Sequence, residues 1–284
     1  MTLTRLVTNS ARYYWRTNLA VILGVAAAVA VLAGALVVGD SVRGSLRDLA
    51  VGRLGKTDFV VSSLGFFKEG VADDVQRGLR ASAAAPLVVA DGFVTLESSG
   101  RRAANVLVYG VDERFWRFNG REPVDGVYIS PELSAEIGGQ NGDVLLTRLQ
   151  RPSEIPVESL FGRKEDVGRT VRLTLAGVLP RDRLGEFALK PQQAGVRAVF
   201  APLRRIQRDL GVAGQVNTVI VSGGERSDAA FRSALGLDDL GVRVGTADSP
   251  RAVTVEQASG IVSDALEAAA RTAAGKIGLQ PAPV

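Results

Sequence analysis

Between Arg16 and Asp40 the chain runs without a charged residue, and the centre of that run, residues 19–38 (LAVILGVAAAVAVLAGALVV), is apolar throughout. At about 1.5 Å per residue a helix over this centre is about 30 Å long, the thickness of a bilayer's hydrocarbon core. Such a run ties the chain to a membrane. Beyond Asp40 the chain is polar and globular in composition, and is expected as a domain held at one membrane face. A cleaved signal peptide is the competing reading, because Ala33-Gly34-Ala35 offers a small-residue cleavage site and Arg5, Arg12 and Arg16 a basic front. Signal cores run about 7–15 residues, shorter than this one, so a retained span is expected.

Residues 1–18 have a pattern of their own. On a helical wheel Arg5, Arg12 and Arg16 fall within one narrow arc, whereas Leu3, Leu6, Val7, Tyr13 and Tyr14 fall elsewhere, mostly opposite. This describes an amphipathic interfacial segment lying among lipid headgroups, with Tyr13, Tyr14 and Trp15 at the level of an aromatic belt; a frayed basic tail is the plainer alternative. Charge alone gives little orientation, since Arg43, Arg47, Arg53 and Lys56 on the far side balance the arginines in front. A cytoplasmic N-terminus is expected because long following domains translocate largely regardless of charge. Ala26, Ala30 and Gly34, with Gly24 and Ala28 beside them, form a small-residue ridge that admits a second helix, or reflect only the abundance of alanine in this chain.

With 284 residues, 46% of them hydrophobic and 23% charged, the chain is long enough to bury a sizeable core outside the membrane. Its net charge of +4 is scattered, without a basic patch interleaved with aromatics, so nucleic acid is not an expected partner. Cysteine and histidine are both absent, which removes disulfides, thiol nucleophiles, Cys/His zinc sites and His-based triads. The adjacent pairs Asp73-Asp74 and Asp238-Asp239 read as solvated charges rather than a catalytic couple. Gly52-Arg53-Leu54-Gly55-Lys56-Thr57 ends like a phosphate loop, but that motif has four residues between its glycines and a strand ahead of it; here there are two, behind a membrane helix. No catalytic, cofactor-binding or metal-binding residue is therefore expected, and no cofactor.

Helical spacing of Val42, Leu46 and Leu49 extends the span as a stalk until Gly52 and Gly55. Strands are expected at 57–62, 86–97, 101–111, 126–130, 144–149, 170–178, 196–201 and 216–222, and helices at 71–81, 131–137, 203–210 and 227–235. Residues 150–169 and 180–195 read as long polar loops. Val262, Leu266, Ala269, Ala273 and Ile277 share one face of a closing helix. The expected architecture is a mixed α/β extracytoplasmic domain of two lobes on a single N-terminal transmembrane helix with a helical stalk. Its division is 1–18 interfacial segment, 19–38 transmembrane helix, 39–56 stalk, 57–250 outer domain with a second lobe at about 126–195, and 251–284 returning helix.

Four ordered stretches carry a family resemblance. Gly39-Asp40-Ser41-Val42-Arg43-Gly44-Ser45-Leu46-Arg47, followed by Arg53-Leu54-Gly55-Lys56-Thr57-Asp58, resembles the start of MacB/FtsX-type ABC transporter permeases, including the LolC/LolE-like branch. Val108-Tyr109-Gly110-Val111-Asp112-Glu113-Arg114-Phe115-Trp116 is similar to the family's "v-x-G-v-d-x-x-f-w" stretch. Tyr128-Ile129-Ser130-Pro131-Glu132-Leu133 leading to Gly142-Asp143-Val144 resembles its "is-x-x-l-A…G-d-x-v" segment. Phe200-Ala201-Pro202-Leu203 with Gln207, Leu210 and Asn217 resembles "v-P-l-x-x-l-q…N".

The resemblance implies a permease subunit in a bacterial inner membrane, with a periplasmic domain and a chain truncated before three further membrane helices. It implies a separate ABC ATPase, a second permease subunit in a homo- or heterodimer, and membrane lipid as partners, with no enzymatic activity in this chain. Coupling of cytoplasmic ATP hydrolysis to extracytoplasmic movement, for export or lipoprotein release, is the implied role. The alternative is a single-span, membrane-anchored periplasmic binding module without a transport role.

Overall fold

The computed structural model describes residues 3–149, 169–225, 227–246, 252–257 and 262–280. The chain divides into two compact units, Met1–Gly52 and Arg53–Val284. The first contains α1 (Leu3–Tyr13) and nearly all of α2 (Trp15–Arg53), an uninterrupted helix of 39 residues that includes the expected span and the expected stalk as far as Arg53, residues 54–56 forming a turn instead. One such helix, by length and composition, suffices to cross a membrane.

In the second unit β1 (Phe59–Lys68), α3 (Val71–Gly78), β2 (Ala83–Leu96), β3 (Arg102–Val111) and α4 (Glu113–Phe118) come first. Next come β4 (Val127–Ile129), α5 (Pro131–Ile137), β5 (Val144–Leu149) and β6 (Arg169–Val178). β7 (Ala198–Pro202), α6 (Leu203–Leu210), β8 (Gln215–Ser222), α7 (Asp228–Ala234), β9 (Val242–Thr246), β10 (Val253–Gln257) and α8 (Asp264–Lys276) complete the order.

Eight strands form one sheet in the order β1-β8-β2-β3-β7-β4-β6-β5, and β5 pairs again with β2. Six strands therefore close a cycle. β2 makes this possible by its length: Ala83–Leu87 pair with β8, whereas Val88–Thr95 pair with β3 and Gly92–Leu96 with β5. Pro86 lies inside this strand, three residues after its start. The β3 ladder begins only at Val88, so at Pro86 one edge of β2 has no partner strand and a missing N–H is tolerated.

Alternation of side chains across the pleat sends the two faces into different cores. Val106 and Val108 of β3, Val199 and Ala201 of β7, and Leu173 and Leu175 of β6 join Leu133 and Ile137 of α5 and Ile206 of α6 in one cluster. Leu107 and Tyr109 of β3 and Ala198 and Phe200 of β7 point to the other, closed over by Phe115, Trp116 and Phe187. The aromatic packing there is specific: Phe115 meets Phe187 edge-on at 5.2 Å, and Tyr109 stacks on Phe200 at 5.3 Å.

Several boundaries differ from the sequence expectation. β1 runs to Lys68 rather than 62, because the ladder with β8 resumes at Phe67 after a bulge. α3 stops at Gly78, where Arg80 enters a left-handed conformation at φ 51°. α4 and the hairpin β9–β10 are additions to the expected elements. Of the face expected on α8, Leu266 is half-buried but Val262, Ala269, Ala273 and Ile277 are exposed; the half-buried row is Leu266, Ala270 and Ala274. The described parts of 126–195 contribute β4, β5 and β6 to the common sheet, and the loop expected at 150–169 lies outside the described residues except Arg169.

Candidate functional site

The end of α2 is the best-defined polar construction in the outer domain. Arg53 is 8% exposed, an unusual setting for arginine. Its Nη1 donates to the carbonyl of Gln192 at 2.6 Å, its own carbonyl accepts from the Ala188 N–H at 3.1 Å, and its Nε lies 3.7 Å from Glu186 Oε2. Glu186 in turn faces Arg181 at 3.3 Å. One arginine thus pins the 181–192 segment, and Phe187 within that segment is the ring seated against Phe115 and Tyr109.

Two residues on, Gly55 adopts φ +61°, and a Cβ there would meet Asn119 Oδ1 at 2.3 Å. Only glycine lets the chain turn this tightly against Asn119. The Asn119 side chain accepts the Lys56 N–H at 3.3 Å and donates to the Phe115 carbonyl at 3.0 Å, tying the turn to the end of α4. Asp58 Oδ2 accepts the Gly223 N–H at 2.7 Å, after which β1 begins. Among the described residues the buried side-chain atoms without a hydrogen bond include Arg53 Nε, Thr57 Oγ1 and Gln192 Nε2, all from this junction.

This geometry explains the apparent phosphate loop. Gly52 is helical, the Lys56 N–H is directed at Asn119, and the Lys56 ammonium lies beside Gly120 at the end of α4. The paired acids are likewise structural. Asp74 pairs with Arg77 within α3, Asp238 with Lys68 at 3.1 Å, and Asp239 accepts the N–H groups of Gly236 and Lys68. The Asp238 hydrogen bond and charge raise the Lys68 pKa.

A second polar cluster lines an open depression of about 520 Å³ bordered by Glu69, Asp112, Glu113, Arg114, Leu203 and Arg204. Arg114 pairs with Glu69 and, at 2.6 Å, with Asp112. Burial works against its charge, but Asp112 and then Glu69 outweigh that and raise the guanidinium pKa. Gln207 Nε2 donates to Glu69 at 3.1 Å and to the Gln215 carbonyl at 2.9 Å. The cluster therefore straps together the ends of β1, β3 and β8 and the middle of α6. Among the described residues no group of three or more acidic side chains is placed to hold a metal.

The residues singled out as landmarks turn out to occupy joints. Asp112 caps α4 by accepting the Arg114 N–H at 2.9 Å, and Ser130 caps α5 through Leu133. Asn217 uses its amide as a piece of backbone: Oδ1 accepts the Val89 N–H and Nδ2 donates to the Val89 carbonyl, both at 2.8 Å. That exchange continues the β8 ladder two residues past Leu87, where β2 turns to its other partners.

The family model of the MacB-like periplasmic core domain matches residues 17–273. Among solved structures, the periplasmic region of MacB from Actinobacillus actinomycetemcomitans is similar at 12% identity, covering 62% of this chain and 78% of that one, with a TM-score of 0.36. The extracellular domain of the ABC-type transporter YknZ from Gram-positive bacteria is similar at 10% identity, covering 62% of this chain and 86% of that one, also at 0.36. No curated protein matches in sequence. The family match runs from the apolar helix through every capped joint described above and into α8, and on that extent the chain belongs to the MacB-like periplasmic core domain family, on the permease side of ABC transporters, with an apolar helix at its N-terminal end.

Proposed function

We propose that the chain is the N-terminal part of a transmembrane permease subunit of an ABC system of the MacB/FtsX/LolC kind, which couples cytoplasmic ATP hydrolysis to extracytoplasmic conformational change for export or lipoprotein release in a bacterial inner membrane, with its N-terminus cytoplasmic and its outer domain periplasmic. A separate ABC ATPase supplies the energy, and a second permease subunit completes the pair. The family match over 17–273, which takes in helix and outer domain together, is the observation that carries this reading. The division at 19–38, 39–56, 57–250 and 251–284, with a lobe at about 126–195, belongs to the same proposal.

Movement of α2 reaches the outer domain through the chain itself. Arg53 hands it to the 181–192 segment and so to Phe187; Lys56 hands it to Asn119 and α4. The test is affinity purification from native membranes in mild detergent. An ABC ATPase and a second permease chain are expected to co-purify, while the isolated chain binds no ATP and Lys56→Ala changes nothing. Recovery of the chain alone, or ATP turnover lost in Lys56→Ala, overturns the proposal, the former in favour of a single-span anchored module.

A further inference from the structure

We propose that the arginine face of α1 binds an anionic phospholipid surface, an inference that rests on α2 being a membrane span. α1 contains no acidic residue, and none occurs in the chain before Asp40. At 100° per residue Arg5, Arg12 and the following Arg16 lie within about 40° of one another, whereas Leu6, Val7 and Tyr13 lie off that arc, Val7 opposite it. All six of these side chains are exposed, Leu6 at 61% and Val7 at 58%. Among the described residues Arg5 and Arg12 have no carboxylate partner, and Arg16 lies over the Trp15 ring at 5.6 Å. A short helix with a bare apolar side is marginal on its own in water, even though water solvates its arginines.

Two observations select lipid as the occupant. The first is continuity: Tyr14 alone separates α1 from the apolar helix, so α1 starts within the headgroup layer of any bilayer that α2 spans. The second is charge complementarity, since three arginines without a nearby acid match phosphate-bearing, negatively charged headgroups. In this arrangement Leu6 and Val7 enter the acyl boundary and the arginine stems reach up to phosphate.

The test uses the full chain in vesicles. Because the chain has no cysteine, Leu6→Cys carries a single environment-sensitive fluorophore. In phosphatidylcholine vesicles containing phosphatidylglycerol the label is expected to be shielded from water, and in phosphatidylcholine alone largely exposed. Arg5→Gln with Arg12→Gln is expected to weaken the anionic preference about fivefold per arginine, about 25-fold together. High salt is expected to erase the same preference, and Arg5→Lys with Arg12→Lys to keep it. Equal shielding with and without phosphatidylglycerol, or no response to the glutamine pair, overturns the proposal. A label that stays in water in both lipids overturns it too, and leaves the arginine face to an acidic protein partner. A chain that fails to float with vesicles overturns the membrane-span reading and this proposal together.

Discussion

Tyr109 shows what one buried residue contributes to the outer domain. Its ring is fully covered, and its hydroxyl accepts the Leu189 N–H at 3.4 Å, within the segment that Arg53 pins. Burial raises its pKa, against a lowering effect of the Leu189 hydrogen bond and with a small push from Asp91. An unfolded tyrosine ionises near pH 10, so the folded state holds the neutral form past that point. The stability this represents is complete below pH 10 and drains away as pH rises above it. In an ultraviolet titration, Tyr109 is expected to stay silent among the four tyrosines until the domain unfolds, and Tyr109→Phe to unfold at higher pH. Ionisation of Tyr109 in the folded domain counts against the packing described. Arg53 is the companion case. Arg53→Met keeps the bulk but strips the Gln192 carbonyl of its donor, at a cost of about 2 kcal/mol. Hydrogen exchange is expected to quicken in amides 186–192 while the β3 and β7 amides keep their protection; unchanged exchange at 186–192 refutes the pin.

Elements meet through shared polar atoms. Ser130 Oγ accepts two N–H groups, Leu133 at the start of α5 at 3.3 Å and Ala198 at the start of β7 at 2.9 Å. Ser130→Ala orphans both in a site without solvent, and a loss of about 2–3 kcal/mol is expected in denaturant unfolding of the outer domain. A loss under about 1 kcal/mol would show that one of the two bonds is dispensable. α5, α6, β3, β5 and β6 were legible in the sequence because each carries a clean period and a marked start or stop: Pro131 after Ser130, Gly211 after Leu210, alternation along Val171, Leu173 and Leu175. β9 and β10 were not, since Arg243, Gly245, Thr254 and Glu256 dilute a two-stranded pattern that has one apolar face. α4 was too short for a helical period and shows itself only through the Asp112 cap. The junction was half-legible. Gly52 and Gly55 announced a stop, but an arginine after a membrane helix reads as solvated, and its acceptor lies 139 residues further on. Asn217 and Gln207 stood out by resemblance; what Asn217 bonds became visible only when β2 and β8 were placed side by side, and what Gln207 bonds only when α6 was placed against the ends of β1 and β8.

At the scale of the whole molecule, the proposed return of the chain to the membrane predicts proximity between the stalk and the closing helix. Val42, Leu46 and Leu49 stripe one, and Leu266, Ala270 and Ala274 the other. Leu46→Cys paired with Ala269→Cys or Ala270→Cys, on a background without native thiols, is expected to crosslink in membranes. Failure across neighbouring positions in a folded domain removes the returning-helix part of the proposal. The closed cycle β2-β3-β7-β4-β6-β5 has a consequence for how such a subunit handles anything. An open sheet shears by breaking bonds along one seam, whereas a closed ring divides only by breaking bonds on two. Slippage within the ring is therefore resisted, whereas β1, β8, the 53–58 turn and the β9–β10 hairpin lie outside it. Under the proposed function this domain works as a rigid tool head, and whatever it acts on is pushed or gripped by its surface rather than admitted to its interior.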